Sequence, residues 1–176
     1  MLNTFLNNVD WILSRVVVFI MSVLVLNVLL QIGARYILGD PFDFTEELAR
    51  YLLIWLALLA STYAYSKRLH VALDLLITKL SRKNAARLNM FIHATIGLFA
   101  LLVLTYGGAL LVELSFELDQ TSAAMGIPIG YVYLVIPVSG ILMTLYAINF
   151  VIYFWNDDML DEDHLKSEQK SGITPE

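Results

Sequence analysis

Long uncharged apolar runs, separated by short clusters of charge, set the pattern of this chain. Val16 to Ala34 holds no charged side chain, and Leu88 to Val112 repeats that pattern, interrupted only by His93. A bilayer core of about 30 Å needs roughly 20 helical residues, so each run predicts a membrane-spanning helix, over 15–37 and 85–115. The second uncharged run, Tyr51 to Ser66, is shorter. Its helix is expected to begin earlier, over 44–66. Asp43 followed by Glu46 reads as a capping-box opening, and Glu46 and Glu47 place acids where the helix dipole favours them. A fourth helix is predicted over 128–155, opened by Pro128, with Pro137 inside it as a kink.

The connections differ from one another. Leu38-Gly39-Asp40-Pro41 is a tight helix-breaking turn. After Lys67 and Arg68 the pattern becomes amphipathic: Leu69, Ala72, Leu73, Leu76 and Leu80 share one helical face, while His70, Asp74 and Thr78 share another. Residues 69–80 are too few to cross a bilayer and predict a short helix lying in the interface. Residues 1–14 are expected as a separate N-terminal segment and 157–176 as a mobile polar tail. The fold class is thus an all-α integral membrane protein: a four-helix body over 15–156 plus one short amphipathic interfacial helix.

Composition agrees. Of the 176 residues, 59% are hydrophobic and 15% charged, too little charge for an ordinary soluble domain. With no cysteine, disulfides and thiolate chemistry are excluded. The basic residues form no aromatic-lined surface, so nucleic acid is not an expected partner, whereas membrane lipids are. Lys67, Arg68, Lys79, Arg82, Lys83 and Arg87 crowd the connection between helices two and three, while the next connection carries only Glu113, Glu117 and Asp119. The positive-inside rule puts the basic loop and both termini in the cytoplasm.

A search for chemistry returns little. His93 is a lone histidine near a helix end, expected to be a hydrogen-bonded packing residue, and bis-histidine haem ligation would need a second. His70 and Asp74, four apart, supply two ligands where a metal site needs more. Every Asp and Glu falls outside the uncharged core runs, whereas a proton-coupled carrier keeps one near the midplane. No enzymatic centre and no cofactor are expected in this chain. It does carry packing equipment. Asn27 and Gln31 can bond a neighbouring helix; Ala57, Ala60, Ser61 and Ala64 make a small-residue stripe on helix two, and Gly107, Gly108, Gly140, Thr144 and Ala147 do the same on helices three and four. Three classes fit these features: an accessory membrane subunit, an independent four-helix carrier, and a membrane-anchored cofactor protein.

Several motifs in order carry a resemblance. Arg35-Tyr36 closes the first helix, Phe44-Thr45-Glu46-Glu47-Leu48 opens the second and continues through Arg50-Tyr51-Leu52 to Trp55, His70-Val71-Ala72-Leu73-Asp74 follows, and Met125-Gly126-Ile127-Pro128 precedes the fourth. Over about residues 10–155 the chain resembles the small membrane (Q) subunit of the TRAP (tripartite ATP-independent periplasmic) transporters. It departs from that family in Phe44, often Trp, and in Ala60-Ser61, often Gly-Ala. The resemblance implies a bacterial inner-membrane protein that braces a large multi-spanning subunit. That subunit would use a sodium gradient to move an organic acid, sialic acid or a dicarboxylate, delivered by a periplasmic substrate-binding protein. It also implies that sodium sites belong to the large subunit and that no substrate site lies here. Arg35, Asp43, Glu46, Glu47 and Arg50, near the outer ends, are expected to hold the first outer loop, through Arg35–Glu47 and Glu46–Arg50 pairs, or to dock the periplasmic protein. Trp55, the helix-two stripe, His70, Asp74 and Pro128 complete the interface candidates.

Overall fold

The computed structural model describes residues 2–37, 43–67 and 82–171, with side chains over 6–37, 43–67 and 84–155. The described residues form helices α1 (Leu2–Ile37), α2 (Asp43–Ser66), α3 (Arg82–Phe99), a π-helical segment (Ala100–Gly107), α4 (Gly108–Glu117), α5 (Gly130–Tyr133) and α6 (Val135–Ser171). Four helical stretches are long and apolar enough to cross a membrane: Leu6–Ile37, Asp43–Ser66, Asn84–Glu117 and Gly130–Trp155. The protein is therefore an all-α chain with four spans. The interfacial helix expected over 69–80, with His70 and Asp74, lies outside the described residues.

Packing runs in a row rather than a ring. α2 packs on α1 and on α6, and α6 packs on α3 and the π segment. A row buries the middle members and leaves the flanks open. Phe19 and Leu26 on α1 and Tyr106 on the third span are each about two-thirds exposed within the chain, at 68%, 66% and 66%. Two apolar clusters sit along the row: Leu6, Tyr65, Tyr146, Ala147 and Phe150 at one end, and Leu13, Ile20, Leu59 and Val135 toward the middle.

Three boundaries differ from the sequence expectation. α1 begins at Leu2 and not near residue 15. Leu6, Val9 and Leu13 continue a helical stripe into the two clusters, and Asp10 within it is satisfied by partners on other helices. Residues 1–14 are thus no separate segment. At the other end, α6 runs on to Ser171. Nothing between Asp157 and Ser171 is a helix breaker, and Glu162 precedes Lys166 by one turn. The fourth span starts at Gly130, two residues past Pro128, while its break at Leu134, three residues before Pro137, is the kink expected at that proline. Proline lacks the N–H that the Tyr133 carbonyl would accept from residue 137, so the break falls one turn upstream of the ring.

The π segment was not foreshadowed by periodicity. It lies where the third span packs closely on Gly140 of the fourth. A β-carbon on Gly140 would stand 2.7 Å from the Thr105 backbone nitrogen and 2.6 Å from its hydroxyl. Thr105 Oγ1 donates to the Ala100 carbonyl, five residues back, at 3.1 Å, as the wider turn requires. Close approach at a small residue and a locally unwound helix belong together here.

Candidate functional site

The N-terminal end of α2 carries a dense group of polar hydrogen bonds among the described residues. α2 opens at Asp43, as its capping pattern predicts, and presents Glu46, Glu47 and Arg50 over its first two turns. Glu47 is the hub. Its Oε2 accepts from Ser122 Oγ at 2.6 Å and from the backbone N–H groups of Ala124 at 2.8 Å and Met125 at 3.2 Å. Its Oε1 accepts from the Tyr51 hydroxyl, one turn along, at 2.7 Å.

The turn it grips is compact. Ser122 N donates to the Ile127 carbonyl at 2.9 Å, Ile129 N to Gln120 at 2.9 Å, and Gly126 N to Ser122 at 3.0 Å. Thr121 and Pro128 form an antiparallel bridge. Gly126 takes φ +67°, a left-handed conformation that glycine adopts without strain. The Ala124 and Met125 N–H groups then both face one carboxylate, an anion-binding concavity filled from within the chain.

The expected pairs fare differently. Glu46 and Arg50 form an ion pair at 3.2 Å, with both side chains about two-thirds exposed (69% and 65%). Arg35 lies in the last turn of α1, exposed, and no ion pair joins it to Glu47. The Glu47 oxygens are occupied by Tyr51 and the 122–125 turn, so the carboxylate fastens the connection between spans three and four rather than the first outer loop. Asp43 is exposed at the helix start. Trp55 bridges α2 to the fourth span by donating Nε1–H to the Val132 carbonyl at 3.0 Å. Pro128 sits at the foot of that span, its carbonyl accepting from Tyr131 N at 3.2 Å.

The small-residue stripes separate into two kinds. Gly108, Gly140 and Ala147 are buried within the chain, where spans three and four pack. Ala57 and Ser61 are exposed and Ala60 and Ala64 half-buried, while Leu59, Thr62 and Tyr65 form the buried face of α2. The α2 stripe thus looks away from the chain's own core.

Two further polar links join the helices. Asn27, buried, donates Nδ2–H to the Thr45 carbonyl at 2.7 Å, tying α1 to the start of α2. The Tyr65 hydroxyl meets His93 Nδ1 at 2.9 Å, and the imidazole stacks on Phe154 with planes 9° apart. His93 is a packing residue inside an aromatic cluster.

A third link escaped the sequence reading. At the far end of α2, Lys67 Nζ lies 2.6 Å from Asp10 Oδ2, and the Tyr146 hydroxyl donates to Asp10 Oδ1 at 2.5 Å. One carboxylate thereby ties α1, α2 and α6. The Asp10 carboxylate beside it raises the Lys67 pKa above its ordinary value, which keeps the ammonium charged. Asp10 and Lys67 are 57 positions apart, so no local spacing announces them. The available signal was an acid on the apolar stripe Leu6-Val9-Leu13, which demands a partner.

Comparison with known proteins adds to this geometry. Residues 11–157 match the model of the family described as tripartite ATP-independent periplasmic transporters, DctQ component. A Haemophilus influenzae protein named as a TRAP transporter small permease is 32% identical over 149 residues, covering 84% of this chain and 88% of its own. The Vibrio cholerae sialic acid TRAP transporter small permease protein SiaQ is 31% identical over 148 residues, covering 81% and 79%. The Haemophilus influenzae sialic acid TRAP transporter permease protein SiaT is 26% identical over 134 residues, 76% of this chain but 21% of that longer polypeptide.

Proposed function

We propose a function from one premise: this chain belongs to the DctQ component family of the tripartite ATP-independent periplasmic transporters. It is the small membrane subunit of a bacterial transporter of that kind, a multi-pass membrane protein and not an enzyme. Its role is to brace a large multi-spanning subunit that moves an organic acid handed over by a periplasmic binding protein. Both termini and the basic 67–87 connection face the cytoplasm, and the Glu47-fastened turn faces the periplasm. Sodium coupling and the sodium sites belong to the large subunit.

The observation that carries the bracing role is the row arrangement. A closed bundle would bury its apolar faces on itself, whereas here whole faces of α1 and the third span are uncovered and the α2 stripe at Ala57 and Ser61 points outward. Such surfaces suit a scaffold set against a larger membrane body. The match to 21% of a much longer permease supports the same reading, because there a similar stretch shares one polypeptide with the rest. Sialic acid is the substrate to test first, since two relatives carry it in their names, with a four-carbon dicarboxylate beside it.

The test is reconstitution. The chain alone, the chain with its large subunit, and both with the binding protein are placed in liposomes under an inward sodium gradient. Uptake of one of the two acids is expected only with all three components. Sodium-dependent uptake by the isolated chain would restore the independent carrier, and a visible chromophore on the purified chain would restore the cofactor protein.

A further inference from the structure

A groove runs between α1 and α6 with α2 as its floor. It is wholly apolar, with a volume of about 350 Å³, and is lined by Val9, Ile12, Val16, Leu59, Val138 and Leu142 among others. From Val9 to Val16 it extends about 10 Å along the helix, at 1.5 Å per residue. Ile12, Val16 and Val138 remain exposed at its rim, at 55%, 36% and 48%, so the groove opens sideways. Ile12 also lines a second, mixed depression formed with Asn7, Asn8 and Trp11. One residue thus joins an apolar slot to a depression walled in part by two amides.

Above that pocket stands Arg15, whose Cζ lies 3.3 Å over the Trp11 ring centroid. Helical side chains lean toward the N-terminus, so the guanidinium reaches back one turn to the level of Trp11. That level is next to Asp10, whose ion pair with Lys67 stands at the C-terminal end of α2. Arg15 is exposed, and no carboxylate pairs with it among the described residues. A cation, two amides and an indole therefore sit together beside the apolar slot, near the end of α1 where such amphipathic groups suit a membrane interface.

We propose that this composite site binds an anionic phospholipid of the cytoplasmic leaflet. Its phosphate lies on Arg15, its headgroup by Asn7 and Asn8, and one acyl chain in the Val9–Leu142 groove. The anionic preference follows from the neighbouring acid. A zwitterionic lipid would bring an ammonium group needing a carboxylate, and Asp10 is already held by Lys67 and Tyr146. The leaflet rests on the topology proposed above; the site itself does not.

The test is lipid retention by native mass spectrometry. The full chain is released intact from nanodiscs containing equal parts phosphatidylglycerol and phosphatidylethanolamine. One retained phosphatidylglycerol per chain is expected. Arg15→Gln should lower that retention about fivefold, the factor equivalent to roughly 1 kcal/mol per basic residue at an anionic surface, and Arg15→Lys should keep most of it. Val138→Trp fills the slot without touching the cation and should also reduce it. Retention of the two lipids in equal amounts, unaffected by Arg15→Gln or Val138→Trp, would overturn the proposal. Loss of the phosphatidylglycerol when the large subunit is present would assign the groove to a partner helix instead. Because both leaflets of the nanodisc are alike, a wrong topology or absent transport leaves this readout unchanged.

Discussion

Glu47 and Ser122 are 75 positions apart in the chain and 2.6 Å apart in space, with the Ser122 hydroxyl donating to the carboxylate. Two backbone amides, those of Ala124 and Met125, converge on the same oxygen. A carboxylate accepts all three because it offers lone pairs and no competing donor. Glu47→Gln replaces that oxygen with an amide that has either too few acceptors or misplaced donors. Hydrogen exchange should therefore accelerate at Ala124 and Met125 while membrane insertion and exchange in the helix interiors stay unchanged. Unaltered exchange across 122–125 would mean that the turn holds without the carboxylate.

Close packing and hydrogen bonding are separable at the helix crossings. Gly140→Ala places a methyl within 2.7 Å of the Thr105 backbone nitrogen, so backbone must shift. Overpacking of that kind costs about 1–3 kcal/mol. Asn27→Leu deletes a buried interhelical bond of 2.7 Å to a carbonyl within a helix, a class of bond averaging only about 0.6 kcal/mol in membrane proteins. Unfolding in mixed detergent micelles should rank Gly140→Ala well below Asn27→Leu in stability. The reverse order would deny that the spans are held by proximity at glycine.

The two residues of the Asp10–Lys67 pair should differ in weight. Lys67 is 42% exposed and Asp10 13%, so the ammonium side of the pair contributes at most about 1 kcal/mol. Removing Asp10 also strands the Tyr146 hydroxyl, on a residue only 3% exposed, at about 1–3 kcal/mol. Asp10→Ala should therefore destabilise more than Lys67→Met in a thermal melt in detergent. The alkaline limb carries its own sign. The Lys67 pKa is raised in the folded state above the ordinary 10.5, so its contribution is complete below that value and disappears as pH climbs through the raised one. Wild type and Lys67→Met should converge only there; a difference that already vanishes at neutral pH would contradict the pairing.

How much of this was legible in the sequence depends on the range of each interaction. Spans and capped starts are local: uncharged runs and the Asp43–Glu46 pattern place α2 to within one residue, expected from 44 and found from Asp43. Glu46–Arg50 is one helical turn and was equally readable. The Glu47 grip on 122–125 was readable in half, because an interfacial acid must be solvated or paired, yet nothing local says that its partner lies on the third connection and not at Arg35. Asp10 was harder, since a charge near the start of a chain passes for an end-cap until α1 is known to begin at Leu2. The break at Leu134 follows locally from the proline three residues later and was readable as a kink, whereas the π segment depends on the crossing at Gly140, a tertiary consequence that no local pattern announces.

The orientation of the whole assembly reduces to one asymmetry. Lys67, Arg68, Lys79, Arg82, Lys83 and Arg87 crowd one connection, and the 113–127 stretch has acids and no basic residue. Retention of basic segments on the cytoplasmic side sets topology during insertion, and four spans put both termini on one side, which the rule predicts to be the cytoplasmic one. The Lys67–Asp10 pair adds weight, because it fixes the N-terminal part of α1 at the same membrane level as the basic connection. The chain has no cysteine, so single reporters can be added without removing native ones. Gln120→Cys should react with an impermeant maleimide in intact cells after outer-membrane permeabilisation. Ser81→Cys should react only once the inner membrane is opened. Labelling at 81 without labelling at 120 would invert the topology, and would move the Glu47-fastened turn away from the periplasmic binding protein to the cytoplasmic face.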